Sequence, residues 1–127
     1  KKIINIGQIL NTDIAKWWYE QINLYPVNAY IETECGSIVC STSSEDVPQL
    51  GTIGKPVKGI DLAILDDKFN PLANTITGNL AIRLPFPSLF ESYSDSTELY
   101  RSRFKKNWYI TDDRARKDKD GYYWLEN

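Results

Sequence analysis

WYITDDRARKDKDGYYW, residues 108–124, decides how the rest of the chain reads. Trp108-Tyr109-Ile110-Thr111 is an aromatic and β-branched run of the kind that fits a pleated, half-buried surface. Residues 118–121 end in Asp120-Gly121, a pair that tolerates the backbone angles of a tight hairpin turn. Residues 122–125 return as the partner strand. The segment is therefore an antiparallel hairpin, and the short strands before it are expected to join it. These are 60–65, followed by a turn at 66–71, and 79–84, ended by Pro85 and Pro87, which cannot donate to a ladder. Ser94 or Asp95 is placed to cap a helix running to about Phe104. Between 37 and 59 the chain is rich in Ser, Thr, Gly and Pro and reads as a loop with room for a strand at 38–40.

Further toward the amino terminus the period changes. Residues 2–6 form a short apolar strand that stops at Gly7. Asn11 or Thr12 can cap a helix, and Asp13 in its first turn suits the helix dipole. Ile14, Trp17, Trp18, Gln21 and Ile22 recur at helical spacing, so this is an amphipathic helix packed on a sheet and ending near Asn23. On that face Trp17 and Trp18 are core or interface residues. Residues 26–31 read as a short buried strand. The expected fold class is mixed α/β. The end of an open α/β layer (1–36) is followed by a small antiparallel, barrel-like β subdomain (37–127). No repeat is visible, and the low-complexity content is confined to 41–44.

Composition narrows the function classes. At 127 residues, 42% of them hydrophobic, the chain is one domain or part of one. A net charge of −2 offers no basic surface for nucleic acid. No apolar run approaches the roughly 18 residues of a membrane-crossing helix. The chain has no methionine and starts within a pattern at Lys1, which leads us to expect an internal piece of a longer polypeptide. Histidine is absent, removing the commonest general base and transition-metal ligand. Cys35 and Cys40 alone make no zinc site, and their spacing along one strand suits buried, reduced thiols better than a disulfide. That chemistry fits a cytoplasmic or mitochondrial setting.

Two stretches could carry chemistry. YIETECG at 30–36 ends a strand in Thr33 and Glu34. At the carboxyl edge of an open sheet a hydroxyl can bond a phosphate oxygen and a carboxylate can hold Mg²⁺. Taken alone, the same residues also make a plain polar turn facing water. Thr111-Asp112-Asp113 closes an aromatic strand, and a carboxylate there can accept bonds from ribose hydroxyls; it can equally be a solvated acidic turn near Lys117 and Lys119. Gly51, Gly54 and Gly59 lack Walker spacing and read as turn glycines. Arg101, Arg103, Lys105 and Lys106 read as a solvated helix end.

Order and spacing add a resemblance. GQIL at 7–10, KWWYEQI at 16–22, YIETECG at 30–36, GKPVKGIDLAILDDKFNPL at 54–72, GNLAIRLPFP at 78–87 and WYITDDRARKDKDGYYW at 108–124 occur in sequence. Together they resemble the AMP-forming acyl-CoA synthetases of the adenylate-forming superfamily, and most of all the acetyl-CoA and propionyl-CoA branch. The resemblance covers essentially the whole chain and implies an internal fragment of the large N-terminal domain, without the C-terminal domain. It further implies an ATP-dependent activation of a short-chain carboxylic acid as acyl-adenylate, followed by transfer to coenzyme A, with Mg²⁺ as cofactor.

By position, the resemblance places Gly7, Gln8 and Ile9 along the adenine. Asn28, Ala29, Tyr30, Ile31, Glu32 and Thr33 run along the adenine and α-phosphate, Glu34 meets Mg²⁺, and Asp113 holds the ribose hydroxyls. No catalytic residue falls within the chain, so residues 1–127 alone are expected to be inactive. The phosphate loop, a ribose-binding arginine and a catalytic lysine belong to the remainder of the parent synthetase. Three motifs depart from the family. Its Gln-Thr-Glu reads Glu32-Thr33-Glu34, its Thr-Gly-Asp reads Thr111-Asp112-Asp113, and its Gly-Glu-Pro reads Gly7-Gln8-Ile9. Ile31 matches the aromatic that narrows the acyl pocket of acetyl enzymes, which implies room for propionate or longer acids. The alternative is a catalytically degenerate domain kept as a structural or interaction subunit of a larger assembly.

Overall fold

The computed structural model describes residues 1–43 and 49–127. Residues 44–48, which include part of the 37–59 loop and the end of the 41–44 run, lie outside the described residues. Strand β1 (Ile4–Ile6), helix α1 (Thr12–Ile22) and strand β2 (Val27–Glu32) form the expected β-α-β unit. The two strands are parallel, with Asn5 opposite Asn28 and Ile6 opposite Ala29. The Asn11 side chain caps α1 by accepting from the Asp13 N–H at 2.8 Å. Asn23 ends the helix at φ 54°, a left-handed angle Asn tolerates, and its N–H donates to the Tyr19 carbonyl at 2.7 Å.

The helix differs from expectation in its packing. Ala15 is its buried residue, while Ile14, Trp17 and Ile22 are 50, 52 and 44% exposed. Trp17 is thus outside the core formed by the described residues. Helical spacing sets which side chains share a face, not whether a neighbour covers that face, and α1 contributes no residue to the buried clusters.

Beyond β2, a 3₁₀ turn (Thr33–Cys35) leads to Gly36 at φ 63°, and the chain doubles back as β3 (Ser37–Ser41). Strand β4 (Lys55–Pro56) pairs with β3, so the first sheet runs β1-β2-β3-β4. The change of sheet therefore falls after Pro56 instead of after Gly36. The turn at Gly36 is a hairpin, which keeps β3 beside β2. Cys35 and Cys40 are fully buried and unbonded to each other, and burial pushes the Cys40 thiol up to about 12.

The second sheet contains β5 (Leu62–Leu65), β6 (Gly78–Arg83), β7 (Phe104–Lys105), β8 (Trp108–Lys117) and β9 (Tyr123–Leu125). It is antiparallel throughout, in the order β5-β6-β8-β7 with β9 also on β8, and curls into a half-barrel. Helix α2 (Thr97–Ser102) precedes β7, capped by Ser96 Oγ accepting from the Leu99 N–H at 3.1 Å. That cap is later than Ser94 or Asp95, and the pairing of β7 stops the helix before Phe104.

Strand β8 is longer than the 108–111 run expected, because it passes through a bulge. Ala81 faces Ile110 and Asn79 faces Arg114, so two steps along β6 match four along β8. Thr111, Asp112 and Asp113 occupy the surplus. The Thr111 hydroxyl donates to the Leu80 carbonyl at 2.9 Å, holding the bulge to its neighbour. Bulges re-aim side chains, and this one directs Asp113 away from the regular ladder.

One core joins the two sheets. Val39 and Cys40 from the first meet Ile64, Leu80, Ile82, Tyr109 and Tyr123 from the second. The Ile53 N–H donates to the Tyr123 carbonyl at 3.0 Å, and the Tyr123 N–H donates to the Gly54 carbonyl at 2.9 Å. Gly54 has φ 86°, and a Cβ there would lie 2.0 Å from the Ser41 carbonyl oxygen. Only glycine lets these backbones approach so closely.

Candidate functional site

Open α/β sheets take ligands at the carboxyl ends of their strands. Here the ends of β1 and β2 meet the β8 bulge, and a cavity of about 240 Å³ opens between them. Gly7, Gln8 and Ile9 follow β1; Asn28, Ala29, Tyr30 and Ile31 belong to β2; Asp113 comes from the bulge. Ile53, Leu125 and Asn127 complete the lining.

The β1 side is held by side-chain amides. Asn5 Nδ2 donates to the Gln8 carbonyl at 2.6 Å and to Asn28 Oδ1 at 2.8 Å. Asn28 Nδ2 in turn donates to the Thr52 carbonyl at 2.9 Å, and the Asn28 N–H donates to Thr42 Oγ1 at 2.8 Å. Asn28 is 7% exposed and spends its side chain on this network, which ties the cavity wall to the 52–54 strip.

The opposite wall centres on Asp113. Tyr30 Oη donates to its Oδ2 at 2.6 Å, and Asn127 Nδ2 donates to its Oδ1 at 2.5 Å. The Asp113 N–H donates to Thr111 Oγ1 at 3.2 Å. Burial pushes the Tyr30 hydroxyl far above its ordinary range, and the bond to Asp113 adds to this, so Tyr30 stays a donor at every ordinary pH.

Glu32, Thr33 and Glu34 lie outside the cavity lining, along the continuation of β2. Glu34 Oε1 accepts from Tyr93 Oη at 2.8 Å, and the Glu34 carbonyl accepts from the Phe90 N–H at 2.8 Å. Burial raises the Glu32 carboxyl to about 7; the charges of Glu34 and Asp113 add to the rise, and Arg103 opposes it. Cys35 Sγ lies 3.7 Å from Glu32 Oε2. Arg103 forms a two-pronged ion pair with Asp112 and holds its carboxyl below the usual range. Arg103 is thus anchored to β8, with a side chain 15% exposed, and departs from the solvated helix end expected of that basic run. Lys106, from the same run, donates to Asn70 Oδ1 at 2.9 Å.

Among the described residues, no three or more His, Cys, Asp or Glu side chains converge in a way that could hold a metal. Magnesium often takes only one or two carboxylates, with phosphate and water filling its other positions. The described residues form no all-protein cage for a metal, and Glu34 Oε1 is engaged by Tyr93.

Eight of the residues singled out from sequence therefore share one cavity: Gly7, Gln8, Ile9, Asn28, Ala29, Tyr30, Ile31 and Asp113. Ile53, Leu125 and Asn127 were not foreseen. The backbone bonds between the 52–54 strip and β9 bring Ile53 and Leu125 there, and that pairing has no local signature. The partners Tyr93 and Arg103 were likewise invisible, since each meets its acid through tertiary folding.

Residues 1–94 match the family described as AMP-binding enzyme. The chain is 31% identical to acetyl-coenzyme A synthetase of Bacillus subtilis over 99% of its own length and 22% of that protein's. It is 34% identical to the mitochondrial acyl-coenzyme A synthetase ACSM4 of Mus musculus over 94% of its length and 21% of the relative's. Among solved structures, the anthranilate CoA ligase AuaEII in complex with anthranoyl-AMP superposes with a TM-score of 0.87 at 28% identity, covering 96% of this chain and 23% of that one. The chain thus spans about a fifth of the length of these two curated relatives.

Proposed function

We infer, from the premise that this chain belongs to the AMP-binding enzyme family, that its cavity is one wall of an adenylate site in an acyl-CoA synthetase. The observation that carries the reading is convergence. Three segments far apart in sequence, 7–9, 28–31 and Asp113, line the same cavity at the carboxyl ends of β1 and β2. The first two lie against the adenine and the α-phosphate, and Asp113 meets the ribose. Glu32 and Thr33 continue along the phosphate side.

The parent enzyme activates a short-chain carboxylic acid. A carboxylate oxygen attacks the α-phosphorus of ATP, forming an oxygen–phosphorus bond, and pyrophosphate leaves. The coenzyme A sulfur then attacks the acyl carbonyl, the thiol proton is released, and AMP leaves. Catalysis is mainly positioning and charge stabilisation. Bound Mg²⁺ supplies charge neutralisation at the phosphates, with Glu34 as its ligand from this chain. Ile31, on the cavity wall, leaves room for propionate or longer acids. Residues 1–127 form part of the AMP-binding domain, with the first sheet ending at Pro56 and the antiparallel half-barrel following it. The remainder of the parent synthetase supplies the phosphate loop, the arginine and the lysine. Reduced, buried thiols suit a cytoplasmic or mitochondrial setting.

The relatives above carry the names of synthetases and ligases, which does not favour a degenerate structural domain. The test is acid-dependent ATP–pyrophosphate exchange by the parent protein, offered acetate, propionate and butyrate. Exchange with at least one acid is expected. None with any of them sinks the reading, as does adenylate formation by residues 1–127 alone.

A further inference from the structure

We propose that the interior between the α2–β7 turn and β8 is a binding site for one water molecule, bridging Tyr109 Oη, Arg103 Nε and the Glu32 carboxylate. The first two groups are shut off from solvent and meet no hydrogen-bond partner among the described residues. A buried polar group left unpaired forfeits its hydration, which makes such groups rare in folded proteins. Strand pairing brings these two together. Phe104 of β7 lies opposite Tyr109, and the Ile110 N–H donates to the Arg103 carbonyl at 2.7 Å, so Arg103 and Tyr109 occupy adjoining rungs. Both are held in place. The fully buried Tyr109 ring packs against Phe90 and Phe104, with ring centres 6.1 and 5.7 Å away. Asp112 takes both terminal nitrogens of Arg103 and leaves Nε over.

The chemistry around this point selects the guest. Burial opposes ionisation of the Tyr109 hydroxyl, and the charges of Glu32 and Glu34 add to this, so Tyr109 remains a donor. Arg103 Nε carries a proton and has no lone pair to offer. Glu32 has accepting capacity left, because among the described residues its carboxylate takes one weak bond, from Cys35 Sγ at 3.7 Å. The guest must therefore accept from two donors and donate to a carboxyl group. An anion is opposed by Glu32 and Glu34, and a cation by Arg103. Water carries no net charge, accepts and donates, and typically makes about three hydrogen bonds when buried. In this place it ties the end of β2 to β8 and to the turn before β7, outside the cavity lining. The site does not depend on nucleotide binding.

The direct test is a high-resolution crystal structure of the 127-residue chain, grown in sodium bromide so that any bound anion is marked by its anomalous signal. Density for one water within hydrogen-bond distance of Tyr109 Oη, Arg103 Nε and Glu32 is expected. Direct bonds among these side chains with nothing between them overturn the proposal, as does an anomalous peak at the same place. Stability supplies a second test whose sign separates the alternatives. A hydroxyl without a partner weakens the fold, so Tyr109→Phe would then raise the folding equilibrium constant. A hydroxyl bonded to water contributes to the fold, and Tyr109→Phe is expected to lower that constant about three- to tenfold, measured by urea unfolding. A variant as stable as the unaltered chain, or more so, removes the water. Should Tyr109→Phe fail to fold, the density in the unaltered chain gives the answer.

Discussion

Strand β8 and helix α1 are both rich in aromatic residues, yet they end in opposite environments. Trp108 and Tyr109 of β8 are 9 and 0% exposed, whereas Trp17 and Tyr19 of α1 are 52 and 42% exposed. The strand has partners on both sides, β6 and β7 along its first half and β6 and β9 along its second. The helix contributes no residue to the buried clusters. Aromatic content marks a side chain that gains from burial, and neighbours decide whether burial happens. The cavity lies between the β8 bulge and the carboxyl ends of β1 and β2, and its walls are unequal. Asp113 is fastened to the half-barrel, while Gly7–Ile9 extend from the open edge.

The contrast can be broken most sharply from the buried side. Leu80 on β6 is fully buried in the shared core, so Leu80→Ala is expected to lower unfolding free energy in urea by about 2–5 kcal/mol. A loss below about 1 kcal/mol would mean that the two sheets do not share a core. Gly54→Ala should come next. It combines a left-handed backbone with a 2.0 Å approach to Ser41, and a loss of about 2 kcal/mol or more is expected in the same assay. Tolerance there would show that the first sheet can slide against β9.

A smaller effect, of opposite sign, belongs to Glu32. Its carboxyl titrates at about 7 when folded against an ordinary value of 4.5, so the folded chain holds a proton the unfolded chain has released. The stability this brings is complete below about 4.5 and is lost as the pH rises through 7. Glu32→Gln should abolish that decline. It should make the chain more stable at pH 8, on the order of 1–2 kcal/mol after allowing for the carboxylate's partial exposure. Parallel pH profiles for the two chains would rule out a buried, proton-holding Glu32. Least of all should Trp17→Ser matter, within about 0.5 kcal/mol, because half of that side chain already faces water. A large loss would place Trp17 in a core and erase the contrast.

Much of the fold was legible because its signals are local. Asn11 and Asp13 announced the start of α1, Asp120-Gly121 announced the hairpin, and Pro85 announced the end of β6. The cavity residues Gly7, Gln8, Ile9 and Asp113 were legible through motif order. What escaped were features made by partners distant in sequence. The bulge on β8 exists only relative to β6, so Asp112 and Asp113 read as a strand end when they lie inside a strand of ten residues. The change of sheet after Pro56 depends on the pairing of β4 with β3 across residues 42–54. Arg103 looked solvated until β8 offered it Asp112.

By itself the sequence determined the types of element, the antiparallel hairpin, the family resemblance and which side chains carry hydroxyl, amide or carboxylate groups. Those follow from local backbone preference and residue chemistry, which act over a few positions. Tertiary structure alone decided that Tyr30 reaches Asp113 and that Asn28 spends its side chain on the 52–54 strip. It also decided that Glu32 is pressed against other acids while Trp17 is left in water. The first two are contacts between residues brought together by closing long loops, and the last two are degrees of burial set by the whole fold. Such contacts are set by packing, register and desolvation of the whole chain, which no short stretch of sequence contains.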